Sequence, residues 1–569
     1  MCYIEKMNNR AWVVSPPRAE AEVLARELGL PLPLARVLNN RGLTDPQDSY
    51  RFLHGTIEDL RDPMLLSGMS AALARIRQAL ERKEKILIFG DYDADGVLSV
   101  VMLLKALAGL GADVDYFIPD RLKDGYGLKE DQIEVVRQRN ARLVISVDCG
   151  IKALGFVAKA KELGVDVIIT DHHLPGPELP AAAAILNPVL NDSGYPEKNL
   201  AGVGVVFKLL EALLADGPAR SSLEHYLKLV SIGTIADVAE LRGENRIFVK
   251  HGLKGLERPA NPGLKSLLDI CGLKGQRVSQ GEVAFRVGPR LNAAGRMDSA
   301  DLAVRLFMTG STGEAQDIVR RLDDLNRLRQ KTEEKICSQA LAKIRDRGLD
   351  KTHKILVLGS EQWHRGIVGI VASRLKETFH RPVILFSYED GLAYGSGRSI
   401  KEFSLIDCLD ALREHFLNYG GHRLAVGCSL PRDRMPSFKE AANALADSRL
   451  TDDDLQAKVR IDSTLDLAEV DSGFLQAYSW LEPFGVGNPT PVFMASDIEV
   501  ASAPQKLRGK HCKFLAKQSG RTIEAIGWDK GDWADSLGRG SRTSLAFSIQ
   551  HSTYLGETRP YLSLEDKRP

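Results

Sequence analysis

Four short, almost unbroken apolar runs constrain this chain more than any other feature: Ile86–Phe89, Val114–Ile118, Leu143–Val147 and Val165–Thr170. Runs of this length without polar alternation read as strands buried on both faces. Helical stretches separate them: Val97–Leu110, Lys129–Arg139 and Ile151–Leu163. Gly111 and Gly164 stand where a C′ glycine would end two of those helices. Such strand–helix alternation specifies a parallel sheet with helices on both faces. The strand ends of a parallel sheet share one edge, and ligands collect there.

The residues just past each run are therefore informative. After the first come Asp91, Asp93 and Asp95, at every second position of Ile86–Gly96 (ILIFGDYDADG). After the second come Pro119-Asp120-Arg121 and then Asp124-Gly125-Tyr126-Gly127; after the third, Asp148-Cys149-Gly150; after the fourth, Asp171-His172-His173. A later apolar run ends in Gly233-Thr234-Ile235-Ala236-Asp237, and it too is expected to behave as a strand end. Carboxylates this close repel one another unless cations lie between them. A donor set rich in oxygen with one imidazole suits manganese or magnesium better than zinc or copper. Asp91, Asp93, Asp95, Asp148, His172 and Asp237 are thus expected to hold two divalent ions that clamp a phosphoryl group. His173 is expected to face the substrate, as phosphate ligand or general acid. Taken singly, an aspartate after a strand is equally well a helix N-cap; an ordered set of them has no such simple structural explanation.

The remaining chain divides by pattern. Residues 1–75 read as a mostly helical lead-in, with helical spacing at Leu24–Leu28 and Leu34–Val37, another short apolar piece at Arg51–Leu53, and an extended start around Trp12 and Pro16–Pro17. Residues 76–310 hold the first sheet. Thr312–Ala342 has strong helix formers, no proline and no internal glycine beyond its first turn, with Ile318, Leu322, Leu325 and Ile336 forming one stripe; a long connecting helix is expected within 311–350. A second α/β unit over 351–450 contains strands at Ile355–Leu358 and Val383–Phe386 and a helix after Trp363 running through Leu375. Gly395-Ser396-Gly397-Arg398-Ser399 and Gly420-Gly421-His422 read as loops. From 451 to 569 short strands at Ala457–Ile461, Val492–Met494, Cys512–Leu515, Ile523–Ile526 and Leu545–Ile549 alternate with turns, the pattern of a small barrel with an OB-fold as the best fit.

The glycine-flanked arginines are phosphate candidates. Arg290, Asn292 and Arg296 lie in the stretch Gly288–Arg296, and Ser396, Arg398 and His422 lie in the two glycine-rich segments. Backbone N–H groups and bidentate guanidinium contacts both recognise phosphate.

Composition sets outer bounds. A chain of 569 residues exceeds one core. A net charge of +1 excludes a globally basic nucleic-acid binder and leaves only local patches. Seven cysteines without a CxxC pair argue against a disulfide scaffold or zinc ribbon and fit a reducing cytoplasm. No apolar run has transmembrane length, and the first residues lack a signal-peptide core.

The ordered motifs GDYDADG, VDCG, TDHH and GTIAD resemble the four metal motifs of the Asp-His-His (DHH) phosphoesterase superfamily. GPRLNAAGRM, WHRGIVGIVASRL, GSGRSI and YGGH are similar to its DHH-associated second domain, and LEPFGVGNPTPVF to the start of the OB-fold found in its single-strand-specific exonucleases. The resemblance implies an α/β protein: a DHH parallel-sheet domain and a smaller DHH-associated α/β domain joined by a long helix, with a C-terminal OB-fold β-barrel. It implies a 5′→3′ exonuclease on single-stranded DNA that releases 5′-mononucleotides with Mn²⁺ or Mg²⁺ and serves recombination and repair. Asp93, Asp95, Asp148 and Asp237 then correspond to metal ligands with His172 beside them, and Asp91 to the exonuclease version of the first motif. His173 corresponds to the catalytic or phosphate-facing histidine. Arg121, Ser396 and Arg398 correspond to positions that hold a 5′-terminal phosphate. A helicase and a single-strand-binding protein are the implied protein partners, with the enzyme a monomer. Longer members carry a further partner-binding domain. A phosphodiesterase for cyclic dinucleotides or short oligonucleotides, or a manganese pyrophosphatase, shares the metal motifs but needs no OB-fold. A non-catalytic scaffold would have lost the ligands.

Overall fold

The computed structural model describes residues 10–121, 127–215, 221–554 and 557–569, with side chains at 553–558 left aside. Asp124, Gly125 and Tyr126 lie outside the described residues. The chain forms two compact units. One comprises residues 61–239 and 251–457; the other comprises 10–60, 240–250 and 458–569.

In the first unit, β1 (Ile86–Gly90), β2 (Val114–Phe117), β3 (Leu143–Val147), β4 (Asp166–Thr170) and β5 (Ala184–Leu186) form a parallel sheet in the order β2-β1-β3-β4-β5. Every position of β1 and β3 is buried, as continuous apolar runs require. α1 (Ala94–Gly109) leaves β1 and is buried on nearly every side. α2 (Gly202–Leu213) and α3 (Leu223–Ala236) pack against it. Gly111 and Gly164 have the positive φ expected just past a helix end. The predicted helix over Lys129–Arg139 is shorter, a 3₁₀ turn at Glu130–Gln132 followed by Ile133–Gln138.

Two expectations are corrected. The apolar run before Asp237 is α3, not a strand, so Asp237 caps a helix C-terminus. Residues Tyr226–Leu227 and Leu229–Ile235 of α3 are buried without a polar face, and a helix buried all round has no amphipathic period to distinguish it from a strand.

α4 (Gly288–Met297) precedes α5 (Thr312–Asp346), a 35-residue helix capped by the Ser311 hydroxyl. The predicted stripe of Ile318, Leu322, Leu325 and Ile336 is buried. Beyond it, β6 (Leu356–Ser360), α6 (Val368–Phe379), β7 (Val383–Glu389), β8 (Leu392–Arg398), β9 (Asn418–His422) and β10 (Ala425–Pro431) build a mixed sheet in the order β9-β10-β8-β7-β6. This is the second correction: Gly395–Arg398 and Gly420–His422 lie in strands. Glycine at 395 answers a packing need, since a β-carbon there would collide with the Phe386 ring and the Cys428 sulfur.

The second unit contains a closed five-stranded barrel. Phe493–Val500 (β11), His511–Gln518 (β12), Arg521–Gly527 (β13), Arg542–Tyr554 (β14) and Glu557–Arg568 (β15) pair around the ring as β11-β14-β15-β13-β12 and back to β11. Closure removes exposed edges, and this arrangement is the expected OB-fold. Helices Ala19–Leu28, Leu32–Asn40 and Pro46–His54 share the barrel's core through Leu24, Leu34, Val37, Leu38 and Leu53. The extended start around Trp12 is a strand, Ala11–Val14, paired in parallel with Lys458–Ile461. No helix among the described residues is long and apolar enough to cross a membrane.

Candidate metal centre and adjoining anion pocket

The polar edge of the parallel sheet gathers the carboxylates. Asp91 follows β1 and is buried, with Oδ1 lacking a hydrogen-bond partner among the described residues. Asp93 caps α1, accepting the N–H groups of Asp95 (2.9 Å) and Gly96 (3.2 Å). The helix-cap reading is therefore true of Asp93, and one of its carboxylate oxygens serves that purpose. Asp95, in the first turn of α1, accepts the N–H groups of Gly202 (2.8 Å) and Val203 (2.7 Å) at the start of α2. Asp148 follows β3 in the left-handed region at φ 59°. His172 Nε2 lies 3.0 Å from Asp148 Oδ1 and 3.9 Å from both Asp95 Oδ2 and Asp237 Oδ2.

Among the described residues, donor atoms fall into three overlapping groups, each within 4.8 Å: Asp91, Asp93 and Asp148; Asp95, His172 and Asp237; Asp148, His172 and His173. All six predicted metal-holding side chains thus meet at one place, together with His173. Burial pushes the carboxyls of Asp91, Asp148 and Asp237 well above the usual carboxylate range, and Asp95 up to about 7; neighbouring aspartates add to each. His172 is pushed down to about 4 by burial and by His173, which leaves its imidazole neutral, the form that ligates metal. Mutually repelling carboxylates, a buried unpartnered Asp91 oxygen and a neutral imidazole fit hard divalent cations.

Asp171 is the residue that sequence reasoning passed over. Its Oδ1 accepts the N–H groups of His172 (2.8 Å) and His173 (3.1 Å) and lies 2.7 Å from His173 Nδ1, while Oδ2 accepts the Ile151 N–H (2.9 Å). Burial opposes its charge, but the hydrogen bonds with His173 outweigh it and hold the carboxyl below its ordinary value. The same contact raises His173 against the effect of its own burial. Asp171 therefore fixes the His173 ring with Nδ1 engaged and Nε2 turned away from it. The signal was present in the sequence, since Asp171 opens the Asp-His-His triplet.

A second cluster, of guanidiniums, adjoins the first. Arg296 is lowered to about 9 by burial and then by Arg121, with Arg329 and Arg398 adding to the effect and Asp93 opposing it. Arg398 is lowered by burial and by Arg121. Arg121 also stacks over the Tyr92 ring at 4.8 Å. Arg398 Nη1 donates to the Ser396 hydroxyl (3.3 Å) and the Gly397 carbonyl (2.7 Å). Position 369, at the start of α6, lies against the Ser396 hydroxyl, so a helix N-terminus opens toward the same place. His422 lies on β9 with much of its surface exposed, and partial burial of its ring, then His173 and Lys152, lower its pKa. Two candidates are engaged elsewhere. Arg290 is tied to Asp323 of α5 (2.8 Å), and Asn292 accepts the Ala94 N–H (2.7 Å), bracing the aspartate loop. α4 approaches that loop closely at Gly295, where a β-carbon would run into the Tyr92 carbonyl oxygen.

Comparison with known proteins identifies the domains and the family. The family model described as DHH family, N-terminal domain matches residues 85–234; the DHHA1 domain matches 352–448; the RecJ OB domain matches 461–566. The single-stranded-DNA-specific exonuclease RecJ of Bacillus subtilis is 37% identical over 97% of this chain and 70% of that protein. That of Escherichia coli is 35% identical over 93% of this chain and 94% of its own length. The crystal structure of Thermus thermophilus RecJ in complex with Mn²⁺ superposes with a TM-score of 0.83 at 32% identity, covering 98% of this chain and 79% of that one. Its Mg²⁺ complex gives 0.77 at 31% identity, covering 98% and 78%. A chain this similar over nearly its whole length, matching the DHH, DHHA1 and RecJ OB domain models in succession, belongs to the RecJ family.

Proposed function

We propose that this protein is a metal-dependent exonuclease that degrades single-stranded DNA from its 5′ end and releases 5′-mononucleotides. One observation carries the reading: an anionic cluster of five aspartates and a neutral imidazole stands directly beside a cationic cluster of three arginines. A phosphodiester strand would satisfy both: the aspartates would hold divalent cations that neutralise its phosphates, and the arginines would take its terminal phosphate. Asp91, Asp93, Asp95, Asp148, His172 and Asp237 hold two Mn²⁺ or Mg²⁺ ions. Bound there, the ions supply Lewis-acid polarisation of the phosphoryl group and a more acidic water. Asp171 orients His173, whose Nε2 donates to a phosphate oxygen or protonates the departing one. Arg121, Arg296, Arg398, Ser396 and the start of α6 bind the 5′-phosphate, and His422 closes the pocket. A pocket for the terminus next to the hydrolytic carboxylates sets both polarity and product length. Arg290 and Asn292 shape this surface through α5 and the aspartate loop.

The barrel supplies backbone and stacking contacts to the strand. We assign residues 1–75 as a lead-in, 76–310 as the DHH domain, 311–350 as the connector, 351–450 as the DHH-associated domain and 451–569 as the OB domain. We place the protein, as a monomer, in the cytoplasm, where its free buried cysteines stay reduced. It works on recombination and repair intermediates with a helicase and a single-strand-binding protein.

Competition among substrates tests the reading. With Mn²⁺ present, single-stranded DNA is expected to be hydrolysed in preference to the matching duplex, RNA and a cyclic dinucleotide, and chelation is expected to stop the reaction. Equal use of duplex, or preference for the cyclic dinucleotide, contradicts it.

A further inference from the structure

Phe285 presents its ring almost wholly to solvent, 82% exposed, from a π-helical turn, Val283–Val287, that runs directly into α4. π-turns are rare and concentrate at functional sites, and a phenyl this exposed has no part in a core. The turn packs on α3. The Cβ position of Gly288 lies 3.3 Å from Ala236, the neighbour of Asp237. Val238, just beyond Asp237, is itself 64% exposed. α4 then crosses the whole site. Its first residue abuts the Asp237 end, Asn292 touches the aspartate loop, and Arg296 reaches the guanidinium cluster. A ten-residue helix spans about 15 Å.

Accepting the exonuclease reading above, we propose that Phe285 is a stacking platform for a base of the undigested strand, on the 3′ side of the scissile bond. The 5′-phosphate occupies the Arg296 end of α4 and the reacting phosphodiester lies over its middle, so the strand leaves over its beginning, where Phe285 stands. The charge there is suitable. Arg290 and Arg327 share the carboxylate of Asp323, and Arg290 Nη1 also donates to the carbonyl of Arg286 (2.7 Å), the residue next to Phe285, so positive charge stands at this turn; Arg327 is largely exposed. Exposed aromatics within basic surroundings hold single strands without sequence preference, because every base has a π-face.

The test uses the full-length protein with Mn²⁺ and 5′-phosphorylated single-stranded DNA. Phe285→Ala is expected to raise KM about tenfold, the scale of one lost base stack, with the loss falling on KM rather than kcat and with Tm unchanged. Phe285→Trp is expected to retain wild-type KM, and Phe285→Leu, apolar but without a π-face, is not. A single abasic site walked along the strand is expected to cost the wild type a similar factor at one position 3′ of the cut, and to cost Phe285→Ala nothing there. A KM in Phe285→Ala within about twofold of wild type, or an abasic penalty that persists in the variant, overturns the inference while leaving the exonuclease reading intact. Wild-type protein that leaves single-stranded DNA undigested overturns both.

Discussion

Asp148 illustrates how far the site sacrifices stability for function. It is buried, in left-handed backbone, 3.0 Å from a neutral histidine and among further carboxylates. Without cations, burial and repulsion both act against its charge. Asparagine keeps the shape and tolerates positive φ well. Asp148→Asn is therefore expected to raise the Tm of chelator-treated protein, by about 2–4 °C for each kcal/mol of relieved repulsion in a domain of 150–250 residues. It is also expected to lose the Tm gain that Mn²⁺ gives the wild type, and to lose hydrolysis. Thermal melts with and without Mn²⁺ measure both effects. A metal-free Asp148→Asn protein less stable than wild type contradicts the repulsion argument. At this scale the sequence was informative where chemistry is written as spacing, as in Asp91, Asp93 and Asp95. It was silent where a role depends on side-chain orientation: Asp171 grips His173, and Arg290 turns to Asp323, and neither can be deduced from position in the chain.

The elements explain why these residues meet. β1, β3 and β4 deliver aspartates and histidines to one edge, and the helices beyond them lock them in place. α1 is capped by Asp93 and α2 is anchored on Asp95. α4 closes over the loop because Gly295 permits contact with the Tyr92 carbonyl. Gly295→Ala is expected to push α4 off the aspartate loop and cost about 1–3 kcal/mol, the scale of overpacking, with activity falling by more than Tm suggests. Paired measurement of kcat/KM and Tm decides this; a variant with wild-type activity removes α4 from the account. The parallel strands were legible because burial on both faces leaves an unbroken apolar signature. α3 was not, because burial all round erases its period, and β8 was not, because its glycines reflect packing rather than turning.

At the scale of the whole molecule, the compact units do not keep to the linear order of the chain. Residues 10–60 and 240–250 fold with the barrel. Within that unit Arg246 is buried, stacks on Phe52 and donates to the carbonyls of Phe52, Trp480, Glu482 and Pro483. Partners this distant in sequence leave no local pattern: the barrel was readable from its strands and the helices Ala19–Leu28 and Leu32–Asn40 from their spacing, but their packing together in one core was not. The function assigned to the whole joins a metal centre to a pocket for a strand's end, and its most direct consequence is the order in which nucleotides leave. The decisive measurement is a time course on single-stranded DNA, phosphorylated at the 5′ end and labelled at either end, with Mn²⁺. A 5′ label is expected to appear at once as mononucleotide, while a 3′ label shortens gradually through every intermediate length. Immediate release of the 3′ label, or internal fragments from either label, would contradict the account.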